Sequence, residues 1–257
     1  METDPRRWIA ELRKSQDRLA SLVRPLSPEQ LRSPSYHSWT IAQVLGHMGS
    51  QAEIFMDWVA AALERTDPPG HEAMQPVWDA WNARSPEAQA ADSLAYNERL
   101  VQRFEGLNDD QLAHMHLNLF GMELDAANLV RLRLAEHALH TWDIAVVLDP
   151  SALVAPGAVA LLIDTLGFIA GWSGKPQGKN FRLSVRTTAP ERHFSLRVAD
   201  NVELAEWHNG TTDAELTIPA EAFLRLVYGR LDPEHTPEIA ITGDVALDDL
   251  RNVFPGV

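Results

Sequence analysis

The run Arg133-Leu134-Ala135-Glu136-His137-Ala138-Leu139-His140-Thr141-Trp142-Asp143 lies in a helix-patterned stretch from about Asp125 to Leu148. Glu136 and His140 are four residues apart, so they stand one turn apart on one helix face, and Asp143, three further on, extends the stripe. A carboxylate and an imidazole at this spacing can grip one divalent ion, as the two histidines of a helical H-E-x-x-H do. His137 lies about 100° round the helix from Glu136. The two do not aim at one ion, and the partner His137 can reach is His140 at i+3.

An earlier helix, from about Thr40 to Arg65, carries His47 in Trp39-Thr40-Ile41-Ala42-Gln43-Val44-Leu45-Gly46-His47-Met48. Val44 sits three residues before His47, which places the imidazole on the apolar side. An unpartnered histidine there wastes its hydrogen-bonding groups. Gly46 leaves room for a backbone or a ligand. Each feature has an ordinary explanation, a satisfied core histidine for His47 and a surface ion pair for Glu136 and His140. Together they form a three-ligand candidate. Spacing alone leaves both explanations open.

Outward from these helices, the first 175 residues read as a bundle. Asp4-Pro5 starts a helix carrying Trp8, Leu12, Leu19, Leu22 and Val23. The Pro-rich segment Arg24–Ser38 breaks it, and Thr66-Asp67-Pro68-Pro69-Gly70 ends the helix of His47. His71–Ser85 reads as a loop or short helix, and Ser85-Pro86-Glu87 opens a helix to about Leu107. Asn108-Asp109-Asp110 reads as a turn, and a last long helix spans about Pro156 to Trp172. Beyond Gly174-Lys175-Pro176-Gln177-Gly178 the period changes. Phe181–Thr187 and His193–Val198 alternate as strands do, His208-Asn209-Gly210 signals a turn, and Glu215–Ile218 and Glu238–Thr242 read as strands. Helices are expected from Pro219 to Val227 and from Val245 to Val253. The fold class is thus a two-domain α+β protein, a helical bundle over 1–174 and a small α+β domain over 175–257.

Composition narrows the chemistry. The 257 residues contain no cysteine, which excludes a disulfide scaffold, a Cys nucleophile, a Cys-ligated zinc and an iron–sulfur cluster. A metal here must be held by His and Asp/Glu. The formal charge of −14 argues against nucleic acid or an anionic membrane as partner. The N-terminus carries charges where a signal peptide needs an apolar region. The most apolar run, Ala152–Trp172, contains Asp164 and reads as a buried helix rather than a membrane span. A cytoplasmic protein, monomer or homodimer, is expected.

Trp39-Thr40-Ile41-Ala42-Gln43-Val44-Leu45-Gly46-His47-Met48, together with the pattern Arg133-x-x-Glu136-x-x-x-His140-x-x-Asp143, resembles the mycothiol-dependent maleylpyruvate isomerase family of DinB-like zinc bundles. Gly229-Arg230 and Gly243-Asp244 are similar to that family's small sterol-carrier-protein-like C-terminal domain. The resemblance implies a DinB-like four-helix bundle holding zinc through His47, Glu136 and His140. Three such N/O ligands leave a fourth position open, as catalytic zinc sites do. It further implies mycothiol as a diffusible low-molecular-weight thiol. Its thiolate attacks a small-molecule electrophile, so the enzyme is an S-transferase or a thiol-assisted cis–trans isomerase. Arg133 and Asp143 then orient ligands or form an ordinary surface charge pattern, and Arg230, following an apolar helix with its head free, clamps a substrate carboxylate or serves as a helix C-terminal arginine after Gly229. Arg225 is the competing arginine. A zinc hydrolase and a non-catalytic metal-binding stress protein are the alternatives. Among other polar groups, His37 is placed at a pocket mouth, His114 and His116 alternate as a second metal-binding pair would but read as a solvated loop or strand edge, and Trp39, Trp78, Trp81 and Trp142 are placed in the core.

Overall fold

A computed structural model describes residues 3–36 and 38–256. Helix α1 spans Pro5–Val23, with Asp4 accepting from the Arg6 amide at its N-cap. A short α2 follows at Pro28–Leu31, then α3 at Ile41–Glu64. The latter opens on a reciprocal capping box between Thr40 and Gln43 and closes at Arg65, in the left-handed region at φ 57°. Next come α4 (Met74–Asn82), α5 (Pro86–Glu105), α6 (Asp109–His114), the hairpin strands β1 (His116–Leu119) and β2 (Met122–Asp125), and α7 (Ala126–Leu148). Helix α1 packs on α5 and α7, and α3 packs on the same two, so the four long helices close a bundle with α1 diagonal to α3. Leu19, Val23, Ile41, Val44, Leu45, Met48 and Ile144 form one cluster inside it. Each fully buried Leu, Val or Ile adds about 1.5–3 kcal/mol of transfer free energy.

The second unit holds β3 (Phe181–Thr188), β4 (Arg192–Val198), β5 (Val202–Glu206), β6 (Ala214–Pro219) and β7 (Ala240–Gly243) in a sheet of order β5-β4-β3-β6-β7. Only β3 and β6 run parallel. Two helices precede the sheet in sequence, α8 (Pro156–Leu162) and α9 (Leu166–Ser173). Helix α10 (Ala220–Val227) follows β6, and α11 (Leu247–Val253) follows β7. Leu183, Val185, Leu196, Val198, Leu216 and Ile218 alternate inward and are buried, as is every residue of α10.

Five details depart from the sequence reading. Asn108-Asp109-Asp110 starts α6, because Asn108 and Gln111 make a capping box. Strand β5 carried too few alternating residues to be read. His208-Asn209-Gly210 turns with positive φ at Asn209 and Gly210, but it leads from the edge strand β5 across to β6 instead of closing a hairpin. The last long helix is interrupted by a 3-10 turn at Ile163–Thr165, where the Thr165 hydroxyl donates to the Leu162 carbonyl. Pro156–Ser173 is, by length and composition, apolar enough to cross a membrane, with mean hydropathy 1.3. Within that stretch Asp164 accepts a bidentate pair from Arg192 of the sheet. Finally, the compact units divide between Ala158 and Val159, earlier than the Gly174–Gly178 linker. Helix α9 belongs with the sheet because it lies against β5 so closely that a Cβ on Gly167 would sit 2.6 Å from the Leu204 carbonyl oxygen.

Candidate metal centre

The cap at Thr40 fixes where α3 begins and so puts His47 in its second turn. The Asp125 cap, accepting from the Asn128 amide, does the same for α7. With α3 packed on α7, His47 Nε2 lies 3.4 Å from Glu136 Oε2, and His140 Nε2 lies 3.4 Å from the same oxygen. The imidazoles meet edge to face with centroids 4.7 Å apart. One ligand atom from each of the three residues lies within 4.8 Å of the others. The structure thus brings together all three residues singled out as metal ligands.

The surrounding groups set the protonation and orientation such a site requires. Burial pushes His47 below its ordinary pKa against the pull of Glu136, which favours the neutral imidazole that ligates metals. Burial would raise Glu136. The hydrogen bonds and charges of His140 and His47 outweigh it and hold this carboxylate well below its usual range. His140 donates through Nδ1 to Asp143 Oδ2 at 2.8 Å, which fixes the tautomer with Nε2 turned to Glu136. Asp143 is itself buried, and its carbonyl accepts from the Tyr36 amide at 3.2 Å. Two imidazole nitrogens and one carboxylate oxygen, with a buried second carboxylate behind one imidazole, suit zinc chemically.

His47 also lines a cavity of about 480 Å³ together with Trp39, Gln43, Ser50, Gln51, Gln75, Trp78, Asn82 and Gln89. Gly49 makes this wall possible, since a Cβ there would lie 2.2 Å from the Trp81 ring, against which α4 rests on α3. The space beside Gly46 is taken by the Gln89 side chain. Trp81 and Trp142 are core residues as expected, whereas Trp39, 45% exposed with its ring 5.4 Å from His47, and Trp78 face the cavity. The carboxamides gave no sequence signal, being single polar residues scattered over three helices.

The remaining candidates fall elsewhere. His137 points to α1, with Nδ1 2.8 Å from Ser15 Oγ and Nε2 3.2 Å from Gln16 Oε1, and burial drives its pKa far down. It is a satisfied core histidine. Arg133 is buried behind the triad, and desolvation lowers its pKa to about 10. His114 bonds the Asp110 carbonyl and His116 meets Glu123 at 2.8 Å, so the two do not converge. His37 lies outside the described residues. In the second unit Arg225 is buried and spends its fork on Glu221. The Arg230 head, expected free, is buried and donates to the Tyr228 carbonyl at 3.1 Å.

Comparison with known proteins gives matches along most of the chain. Residues 12–145 match the family model of the mycothiol maleylpyruvate isomerase N-terminal domain, and residues 154–249 match the MDMPI C-terminal domain. A crystal structure of the mycothiol-dependent maleylpyruvate isomerase superposes with TM-score 0.69 at 14% identity, covering 95% of each chain. A histidine-to-alanine mutant of that enzyme gives TM-score 0.69 at 13% identity, with the same coverage. YfiT from Bacillus subtilis, described as a probable metal-dependent hydrolase with an unusual four-helix bundle topology, gives 0.44 at 19% identity over 56% of this chain and 87% of its own. No curated protein matches the sequence.

Proposed function

The chain belongs to the mycothiol maleylpyruvate isomerase family, and from that premise we propose that it is a zinc-dependent enzyme that uses mycothiol on a small electrophile, as an S-transferase or a thiol-assisted cis–trans isomerase. The observation that carries the reading is the convergence of His47 Nε2, His140 Nε2 and a Glu136 oxygen beside a cavity that His47 lines. These three residues would hold the metal. When bound, zinc favours the thiolate form of a thiol near neutral pH.

The chain's own residues do the rest. His140 is oriented by Asp143, and the cavity wall receives the thiol carrier. Five carboxamides, one serine and two indoles line that wall, with no charged side chain among the described residues. Such a lining both donates and accepts hydrogen bonds without formal charge. It favours a neutral, hydroxyl-rich thiol such as mycothiol over a peptide thiol bearing several charges. The thiolate sulfur adds to the electrophilic carbon. If the acceptor is a conjugated double bond, the new single bond rotates and elimination restores the double bond and the thiol. If a leaving group departs instead, the sulfur stays attached. Arg230, held on the backbone after α10, is assigned to the carboxylate of such a substrate. Among the described residues the cavity wall holds no Asp or Glu, which counts against a carboxylate general base for a hydrolase there.

The test is a thiol scan with zinc-loaded protein. Mycothiol, glutathione, cysteine and coenzyme A are each offered with maleylpyruvate and with a bimane electrophile. The expected result is turnover that needs both metal and mycothiol. Metal-dependent ester or amide hydrolysis with no thiol requirement would replace this reading with the hydrolase.

A further inference from the structure

Behind the triad, a cation is buried where an apolar residue would pack at lower cost. Arg133 is 1% exposed, between α7, α5 and α3. Its Nη2 donates to the Met48 carbonyl at 3.0 Å and to Asn97 Oδ1, and its guanidinium lies 5.6 Å from the centre of the Phe55 ring. Asn97 is buried too. Its Nδ2 reaches the same Met48 carbonyl at 3.4 Å and the Ser93 carbonyl at 2.9 Å. One carbonyl of α3 therefore gathers a side chain from α5 and another from α7.

The place of that carbonyl is informative. Met48 directly follows His47, and Arg133 stands one turn before Glu136. The clamp therefore joins the two backbone segments that bring ligand atoms from different helices. A slip of α3 against α7 by one residue, about 1.5 Å, would pull the 3.4 Å contact between His47 and Glu136 apart. Both hydrogen-bond acceptors are neutral, and the Coulomb pull of Glu136 offsets only part of the desolvation. Setting helix register is the best-attested use of such a group. Both bonds leave one nitrogen of the planar guanidinium, and a Lys ammonium does not reproduce that fixed geometry.

We propose that Arg133, with Asn97, is the positioning element of the His47–Glu136–His140 centre, setting the register of α3 against α7 so that the ligand atoms converge before metal arrives. This rests on the metal reading above. Zinc affinity is measured by chelator competition in wild type, Arg133→Met, Arg133→Lys, Asn97→Ala and Ser15→Ala. Cobalt(II) absorption spectra report ligand geometry, and thermal unfolding reports the fold. Ser15→Ala is the control, since Ser15 on α1 bonds the equally buried His137, which is not a metal ligand. Arg133→Met and Asn97→Ala should bind zinc at least about tenfold more weakly, with altered cobalt spectra. Arg133→Lys should fall between Arg133→Met and wild type, and Ser15→Ala should match wild type in affinity and spectrum. A folded Arg133→Met protein with wild-type affinity and spectrum overturns the inference, and Asn97→Ala decides if Arg133→Met does not fold. If Ser15→Ala loses as much affinity as Asn97→Ala, the effect is general loosening and the inference is wrong. A wild-type protein that binds no zinc removes the metal reading itself, an outcome distinct from the others.

Discussion

His140 Nδ1 is 2.8 Å from Asp143 Oδ2, and Asp143 is 2% exposed. A buried carboxylate bonded to the far nitrogen of an imidazole fixes the ring's tautomer and raises its basicity as a ligand. Asp143→Ala should weaken zinc binding about 10- to 100-fold in chelator competition. Asp143→Asn keeps an acceptor without the charge and should fall between. Equal affinities in all three proteins would mean that the Asp143 side chain does not act on the metal centre.

His47→Ala removes the one ligand supplied by α3. Two ligands on α7 rarely retain zinc, so the variant should lose most of its metal by elemental analysis while keeping its helical content. Wild-type protein should melt higher with rising free zinc, because a ligand that binds only the folded state adds RT ln(1 + [L]/Kd) of stability. The melting point of His47→Ala should not respond to zinc. A variant that keeps stoichiometric metal would show that His47 is not a ligand.

The triad was legible because helical periodicity is a short-range rule. Glu136 and His140 are neighbours wherever that helix goes, and Val44 told which way His47 faces. Pairing the two helices needed packing, which no spacing encodes. The cavity was not legible because Gln43, Gln51, Gln75, Asn82 and Gln89 are isolated carboxamides that leave no charge and no period. The turn signal at Asn108-Asp109-Asp110 is chemically also an N-cap signal, and the Gln111 partner that decides it lies beyond the triplet. The change from helical to strand period after Gly174–Gly178 was visible in the sequence. That α9 sides with the sheet was not, since its apolar residues suit either unit.

That packing predicts where the chain can be cut. Leu166, Ile169 and Ala170 of α9 are buried in the unit that contains the sheet. A fragment ending at Ala158 should be a soluble helical bundle that still binds zinc. A fragment ending at Gly174 should carry those side chains uncovered and aggregate more readily, as read by light scattering. Neither fragment should turn over substrate if the second unit supplies part of the site. Full activity in the shorter one would show the second unit to be dispensable.

Acid should loosen the bundle at a defined place. Arg13 of α1 meets Glu98 at 2.6 Å and Glu105 at 2.9 Å on α5, and it holds both carboxylates below their ordinary pKa of 4.5. The unfolded chain then binds more protons than the folded one just below pH 4.5. The pairing contributes in full above that pH and is lost as pH falls through the folded values. Both carboxylates are more than a third exposed, so screening limits the network to about 1 kcal/mol or less. Arg13→Met should lower the melting point slightly at pH 7 and show a shallower decline below pH 4.5 than wild type. Parallel melting curves across that range would count against the pairing.

Arg230 is the arginine assigned to the substrate, and the contacts of its neighbour sharpen the comparison. Arg225 is enclosed by Glu221 and by the carbonyls of Arg230 and His235, so it builds the end of α10. Arg225→Ala should break a buried ion pair with Glu221 and appear first as a lower melting point. Arg230 donates from Nη1 to the Tyr228 carbonyl, which orients its fork. A guanidinium fork matches the two oxygens of a carboxylate. Arg230→Ala should therefore raise KM or lower kcat for a carboxylate substrate at least about tenfold, equivalent to about 1.4 kcal/mol. Zinc content and thiol affinity should stay at wild-type values. An uncharged electrophile such as the bimane should be turned over by Arg230→Ala as fast as by wild type, which separates a carboxylate clamp from a general defect. If the variant loses both substrates equally, Arg230 supports the fold of the second unit. If it loses neither, the carboxylate is held elsewhere.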